Sequence, residues 1–416
     1  MIGLNAEPVS TGPAFSQFMT LVFYMASEFG EPIEMAMDNR SSLQQAVKTH
    51  YENNVYPQFP LLLSVRRCDT YALNLDALWA RFNGQQLCRD KKILLAGCGS
   101  FSPYPAAVAN QQAEITALDL SRANLRRAKL HAWLHGYFNV DFIEGDLVGS
   151  EGFLGKNSFH FIDCYGVLHH IPEVSAALQS IHNLLVEGGF ARIMVYSACA
   201  RRPANSIKKA MQILNINDVK TVKNLCQRAK KGSRFKDYMD SSNEFDFDSG
   251  LADMFLHPYA KTYQIEELLS ILEQAGLEPL LFAHYGALNT VSDEIKRLNY
   301  LEATRQLRSN FMVYVGRKQD AFMRTQWEDI KNSHDTVIAL NPVIKKSLSR
   351  LPLLPFRPEP KLGFENPPID FRGHLLLSKF RNPLRKSLIG LEQRKPVKAY
   401  LAALFLIELA TWHEKS

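Results

Sequence analysis

Four consecutive apolar residues, Ile93-Leu94-Leu95-Ala96, run straight into Gly97-Cys98-Gly99-Ser100. A buried strand that stops on two glycines must turn sharply, and the missing Cβ atoms let a ligand approach the main chain. Next comes Glu114-Ile115-Thr116-Ala117-Leu118-Asp119, which reads as a second strand ending on a carboxylate 119 − 97 = 22 positions after Gly97. An acid at that tip can accept hydrogen bonds from both hydroxyls of a ribose. Either feature alone has a plainer reading. The glycines serve any tight strand-to-helix turn, and the acid could cap the helix that follows Ser121. Together, at this spacing, they predict parallel strands whose carboxyl ends share a crevice holding a nucleoside.

The surrounding pattern extends that frame. Residues 91–318 alternate short apolar runs with helical stretches, as a parallel sheet with crossover helices does. The expected strands are 93–96, 114–119, 140–143, 159–164 and 191–196, with 280–282 and 312–315 closing the sheet. Helices are expected from about 105, over 122–134, over 174–185 with a stop at Gly188-Gly189, and over 265–274. Strand–helix–strand repetition implies right-handed crossovers and a doubly wound α/β sheet.

On either side the texture differs. Residues 1–90 read as a helical cover, with helical apolar spacing near 15–25 and 61–82. Residues 319–416 read as a proline-rich basic extension, holding nine of the 20 prolines and 16 basic against 10 acidic side chains. Val397, Tyr400, Leu401, Leu404, Phe405, Leu409 and Trp412 form one apolar helical stripe, expected to pack on the body or to receive a protein partner. The six cysteines are scattered without a CxxC pair, which fits a reduced compartment and no structural zinc. No basic residue precedes Arg40, so a signal peptide is not expected, and the longest apolar runs fall far short of the ~18 residues of a membrane span. A cytoplasmic protein with no membrane contact and no metal is the expectation. Net charge, 48 − 42 = +6, permits anionic partners without demanding them.

A nicotinamide cofactor would use the same glycine turn and acid. Three details oppose it: no third glycine follows, no basic residue stands in 97–109 to favour a diphosphate, and the third strand ends in Glu144-Gly145-Asp146. An acid-lined pocket is unfriendly to a diphosphate and tolerant of a cationic sulfonium. These segments, with Phe159-His-Phe-Ile-Asp-Cys-Tyr-Gly-Val-Leu-His-His-Ile-Pro-Glu and Leu184-Leu185-Val186-Glu187-Gly188-Gly189, resemble class I S-adenosylmethionine-dependent methyltransferases. The resemblance covers 91–197 and implies a seven-stranded, Rossmann-like sheet with S-adenosyl-L-methionine as cofactor. It implies Ala96, Gly97, Cys98 and Gly99 beside the methionine part, Asp119 and Leu120 at the ribose, and Gly145, Asp146 and Leu147 at the adenine. Tyr165 would lie near the methyl donor. The upstream Tyr51-Glu-Asn-Asn-Val-Tyr-Pro looks like a segment of a bacterial subgroup of that family. Phe101 departs from the family's third glycine.

Methyl transfer is an in-line displacement at an activated carbon and demands no particular catalytic residue, so the acceptor is less legible than the cofactor. His169, His170, Tyr165 and His257 are the catalytic candidates. The histidines serve equally as structural residues, and Tyr51 and Tyr56 as a lid or as packing. Residues 200–260 form a helical insertion whose basic stretch 200–240 offers a nucleic-acid surface or a solvated helical face. Aromatics for base stacking are scarce there, which favours a small-molecule or protein acceptor over RNA. Asn366-Pro367-Pro368-Ile369 imitates the motif of amino-group methyltransferases but lies outside the sheet. Two competing functions remain: a catalytically silent cofactor-binding subunit and an NAD(P)-dependent oxidoreductase.

Overall fold

The computed structural model describes residues 33–87, 89–240, 247–332, 336–348 and 354–410. The expected apolar pattern near 15–25, Cys88 and Trp412 lie outside them. Residues 1–46 and 47–416 are two separate compact units.

Seven strands form the central sheet: β1 (Lys92–Ala96), β2 (Glu114–Asp119), β3 (Val140–Glu144), β4 (Phe159–Tyr165), β5 (Leu185–Val195), β6 (Leu277–Phe282) and β7 (Phe311–Arg317). Their order is β3-β2-β1-β4-β5-β7-β6. The first five are parallel, and β7 pairs antiparallel with both β5 and β6. The order reverses between β1 and β4, so the crevice at their carboxyl ends is where such a sheet binds ligands.

Period-two alternation along β1 feeds two cores. Ile93 and Leu95 face a layer with Tyr71, Leu75 and Leu78, whereas Leu94 and Ala96 face the helices Val174–Leu184 and Ile265–Gln274 through Leu178, Ile181, Leu268 and Leu272. Two expectations are corrected here. The helix before β5 does not stop at Gly188-Gly189: it ends at Leu184, and β5 begins at Leu185 and runs through both glycines. Gly188 has φ 71°, and the ladder slips register between Phe159 and Phe161, so the glycines serve an irregularity in the strand rather than a helix stop.

The C-terminal stripe is not one helix. A helix spans Leu391–Ala402, and the chain then turns at Leu404, φ 60°, into β10 (Leu406–Ala410). β10 pairs antiparallel with β8 (Thr336–Leu340), which pairs with the short β9 (Leu384–Arg385). Helical and strand readings share Leu404, Phe405 and Leu409, and cross-strand pairing decides between them. Phe405, Leu404 and Ile344 lie in the same core as Tyr71 and Leu95, so residues 336–348 and 354–410 pack on one face of the main sheet. Asn366 is buried, donating to Tyr71 Oη (3.0 Å) and Glu359 O (2.8 Å), a structural role away from the crevice. Among the described residues no helix is long and apolar enough to cross a membrane.

Candidate active site

A cavity of about 840 Å³ opens above the carboxyl ends of β1, β2, β3 and β4. One half is built by the glycine turn. Gly97 and Gly99 have φ 65° and 58°, and a Cβ on Gly97 would stand 2.5 Å from Val167 Cγ2. Gly99 N–H donates to Asp119 Oδ2 (2.8 Å), and Ser121 N–H donates to Asp119 Oδ1 (2.8 Å). The carboxylate thus locks the two strand tips together while its side chain lines the cavity. Burial raises the Asp119 pKa, against the pull of those two amides and of Asn124 Nδ2 at 3.4 Å. Beyond it, Gly145, Asp146 and Leu147 continue the wall, with Asp146 Oδ1 accepting Val148 N–H (3.0 Å).

Residues 51–59 lie across this turn. Ser100 N–H donates to Tyr56 O (2.9 Å), Tyr56 N–H donates to Asn124 Oδ1 (3.0 Å), and Ser121 Oγ donates to Tyr51 O (3.2 Å). Glu52 accepts Arg122 N–H and Ala123 N–H at the start of the helix Arg122–Leu134, an anion placed at a helix N-terminus. The segment is therefore stitched to both strand tips.

The other half is aromatic and polar. Tyr51 Oη donates to Asp253 Oδ1 (2.9 Å), and burial with that carboxylate beside it raises the Tyr51 pKa. Asp253 sits on a single π-helical turn, Ala252–Leu256, a distortion frequent at functional sites. His170 Nδ1 lies 2.8 Å from Tyr259 O; a carbonyl only accepts, so Nδ1 carries the proton and Nε2 a lone pair. His257 has the opposite tautomer, because its Nδ1 accepts Tyr259 N–H (3.1 Å) and Nε2 must bear hydrogen. Burial lowers both pKa values, so both rings are neutral at pH 7. Their centroids are 3.7 Å apart.

His170, Asp253 and His257 bring potential ligand atoms within 4.8 Å of one another. A cation there would need three lone pairs, and the Tyr259 amide leaves only His170 Nε2 and the Asp253 carboxylate offering one. The donor set fits proton handling better than metal binding. Tyr196 and Arg201 close this half, the guanidinium carbon 3.4 Å from the ring centroid.

The sequence-predicted residues separate cleanly. Gly97, Cys98, Gly99, Asp119 and Leu120 line the cavity, as do Gly145, Asp146 and Leu147. Tyr165, half exposed, and His170 line it as well. Ala96 does not; it is fully buried in β1 beneath the turn. His169 and His257 lie behind the wall. His169 is fully buried and stacked on Tyr196 at 3.5 Å, its pKa driven well down by burial, and His257 is held by the Tyr259 amide. Phe101 packs against Phe59 (4.8 Å) and His131 (5.2 Å), outside the lining, so the missing third glycine leaves the pocket open. Val167, Asn124 and Tyr196 were missed. Only Asn124, one turn after the strand-tip acid, carried a local signal.

The basic insertion folds over the same edge as the helices Arg202–Ile213, Val219–Arg228 and Arg234–Met239 around Met211, Val222 and Phe255. Lys208 Nζ donates inward to His257 O (2.7 Å), and Lys223 and Lys236 pair with Asp248 and Asp240 (2.8 Å each).

Residues 94–193 match the family described as a methyltransferase domain. Over 335 residues the chain is 25% identical to an uncharacterised protein of Synechococcus, covering 74% of this chain and 78% of that one. It is 32% identical over 102 residues to the ubiquinone biosynthesis O-methyltransferase of Saccharophagus degradans, covering 24% of this chain and 41% of that enzyme's length. Among solved structures, PKMT2 from Rickettsia typhi superposes with a TM-score of 0.51 at 14% identity, covering 85% of this chain and 77% of that one. That likeness establishes the fold.

Proposed function

From the match of residues 94–193 to a methyltransferase domain we propose that the protein is a class I methyltransferase, which binds S-adenosyl-L-methionine above β1 and β2 and transfers its methyl group to an acceptor held between Tyr51, His170 and Asp253. The carrying observation is Asp119, whose carboxylate ties the glycine turn to the second strand tip and still faces the cavity. Gly97 and Gly99 leave room for the amino-acid end, and Gly145 to Leu147 flank the base. When bound, the cofactor supplies a methyl group already activated by a positive sulfur.

The protein's own work is positional. Residues 56–59 and Tyr238 of the 202–239 helices line one side of the crevice and hold the reactants in place. Among the described residues His170 is the histidine that lines the cavity, with a lone pair on Nε2 because Tyr259 O holds the proton on Nδ1. It takes a proton from an acceptor hydroxyl or amine as the nucleophile is methylated. Asp253, fixed by Tyr51, stands beside it and favours the imidazolium that forms; its field already opposes the depression of the His170 pKa. A small-molecule or protein acceptor fits better than RNA. Phe235 and Tyr238, the aromatic side chains of the 202–239 helices, pack on the insertion's own small core, which leaves few rings for base stacking.

Incubation with methyl-labelled cofactor and lysate fractions containing small molecules, protein or RNA tests the reading. Label is expected in the small-molecule or protein fraction and lost with His170→Gln. Cofactor binding without label in any fraction would leave a silent cofactor-binding subunit.

A further inference from the structure

A second cleft, of about 570 Å³, lies far from the crevice among the helices Ala321–Asn332 and Leu391–Ala402 and strands β8 and β10. Its floor is apolar, with Trp327, Ile338, Val397 and Leu406 buried. Its polar lining is one-signed. Arg81, Lys331, Lys386, Arg394 and Lys398 face it against the single acid Glu408. Two of these cations are already neutralised: Lys386 by Glu408 (2.6 Å) and Lys331 by Glu328 (3.1 Å).

The other three make no salt bridge among the described residues. Arg81 ends the helix Leu75–Asn83, and its guanidinium donates to Ala402 O (3.1 Å) with no carboxylate bonded to it among the described residues. Burial lowers its pKa by more than the Tyr314 hydroxyl and the Glu328 carboxylate raise it, so the cation is only partly compensated. Arg394 and Lys398 stand four residues apart on the helix Leu391–Ala402, a like-charge spacing that destabilises a helix unless an anion sits between. A partly buried arginine at the head of an apolar trough, with two further cations on its rim, is complementary to an anionic head on an apolar chain. Arginine matches a carboxylate in bidentate geometry.

We propose that this cleft binds a single long-chain carboxylate, with the head on Arg81 and the chain over Trp327, Ile338 and Val397. The site is separate from the methyl-transfer crevice and does not depend on its assignment. Trp327 makes binding directly readable. Titration of the full chain with dodecanoate below its micelle concentration, followed by tryptophan fluorescence and calorimetry, should give saturable one-to-one binding. Dodecanol should bind at least about tenfold more weakly, and acetate should not bind. Arg81→Gln should weaken dodecanoate about tenfold or more, Trp327→Phe should remove most of the fluorescence change, and Asp119→Asn should leave the affinity unchanged. If Arg81→Gln fails to fold, the exposed double change Arg394→Gln with Lys398→Gln must lower affinity severalfold. Equal affinity for the acid and the alcohol, an unchanged affinity in the charge variants, or competition by S-adenosylhomocysteine would overturn the proposal. So would binding seen only with anionic lipid vesicles.

Discussion

Replacing Asp119 by Asn tests the cofactor site at its most loaded atom pair. A carboxylate offers about four lone-pair positions. Gly99 N–H takes one on Oδ2, Ser121 N–H takes one on Oδ1, and Asn124 Nδ2 makes a long 3.4 Å contact with Oδ1. One position is open and one is weakly used, which is the capacity two ribose hydroxyls need. Asparagine keeps the shape, removes the charge and turns one acceptor into a donor. Its amide must then face either the Gly99 or the Ser121 amide, donor against donor. Losing charge-assisted bonds to the ligand costs roughly 1.5–3 kcal/mol, or about 10–100-fold in affinity. Titration calorimetry should show that loss for S-adenosylmethionine and S-adenosylhomocysteine alike, because both carry the ribose. Because burial raises the Asp119 pKa, wild-type affinity should also fall as pH drops through that raised value, and the Asn variant should lack this dependence. Thermal melting controls for folding, since an unsatisfied buried amide costs about 1–3 kcal/mol. A folded variant that binds both ligands within twofold of wild type would refute the reasoning.

Gly97→Ala should destabilise the chain by on the order of 1–3 kcal/mol and abolish cofactor binding, because φ is 65° and the new methyl would meet Val167 at 2.5 Å; thermal melting and calorimetry check both. Ser121→Ala removes a helix cap, its Oγ accepting Asn124 N–H at 3.1 Å, together with the bond to Tyr51 O, and should cost about 1 kcal/mol in chemical denaturation. Burial alone would raise the Glu294 pKa, but hydrogen bonds from His284, Arg297 and Leu288 N–H outweigh it and hold the group at about 2, against 4.5 ordinarily. A depressed carboxylate gives stability that is complete above pH 4.5 and is lost as pH falls through about 2. That contribution is roughly 3 kcal/mol from a difference near 2.5 units, and denaturation across this range should show it for wild type and not for Glu294→Gln.

What could be read from the sequence follows from how local each determinant is. β2 and the helix Arg122–Leu134 have the expected bounds because alternation, a terminal acid and a Ser121 cap all act within a few residues. The glycine turn and Asp119 were legible for the same reason: strand-tip chemistry is written at fixed spacing along one βαβ unit. β10 was not legible. Phe405 and Leu409 fit a helical stripe and a strand equally, and only pairing with β8, about 70 residues upstream, selects the strand. The acceptor side fails in the same way. His169, His170 and His257 are alike as letters, yet one is buried against Tyr196, one presents a lone pair to the cavity, and one has its proton placed on Nε2 by an amide two residues away. Sequence supplies the imidazoles, and the carbonyl and the amide of Tyr259, opposite in polarity, assign their protons. The base we propose is thus made by tertiary hydrogen bonding rather than by motif, which is why exchanging His170 and His257 in a mechanism would reverse the direction of proton flow while leaving the composition of the site untouched.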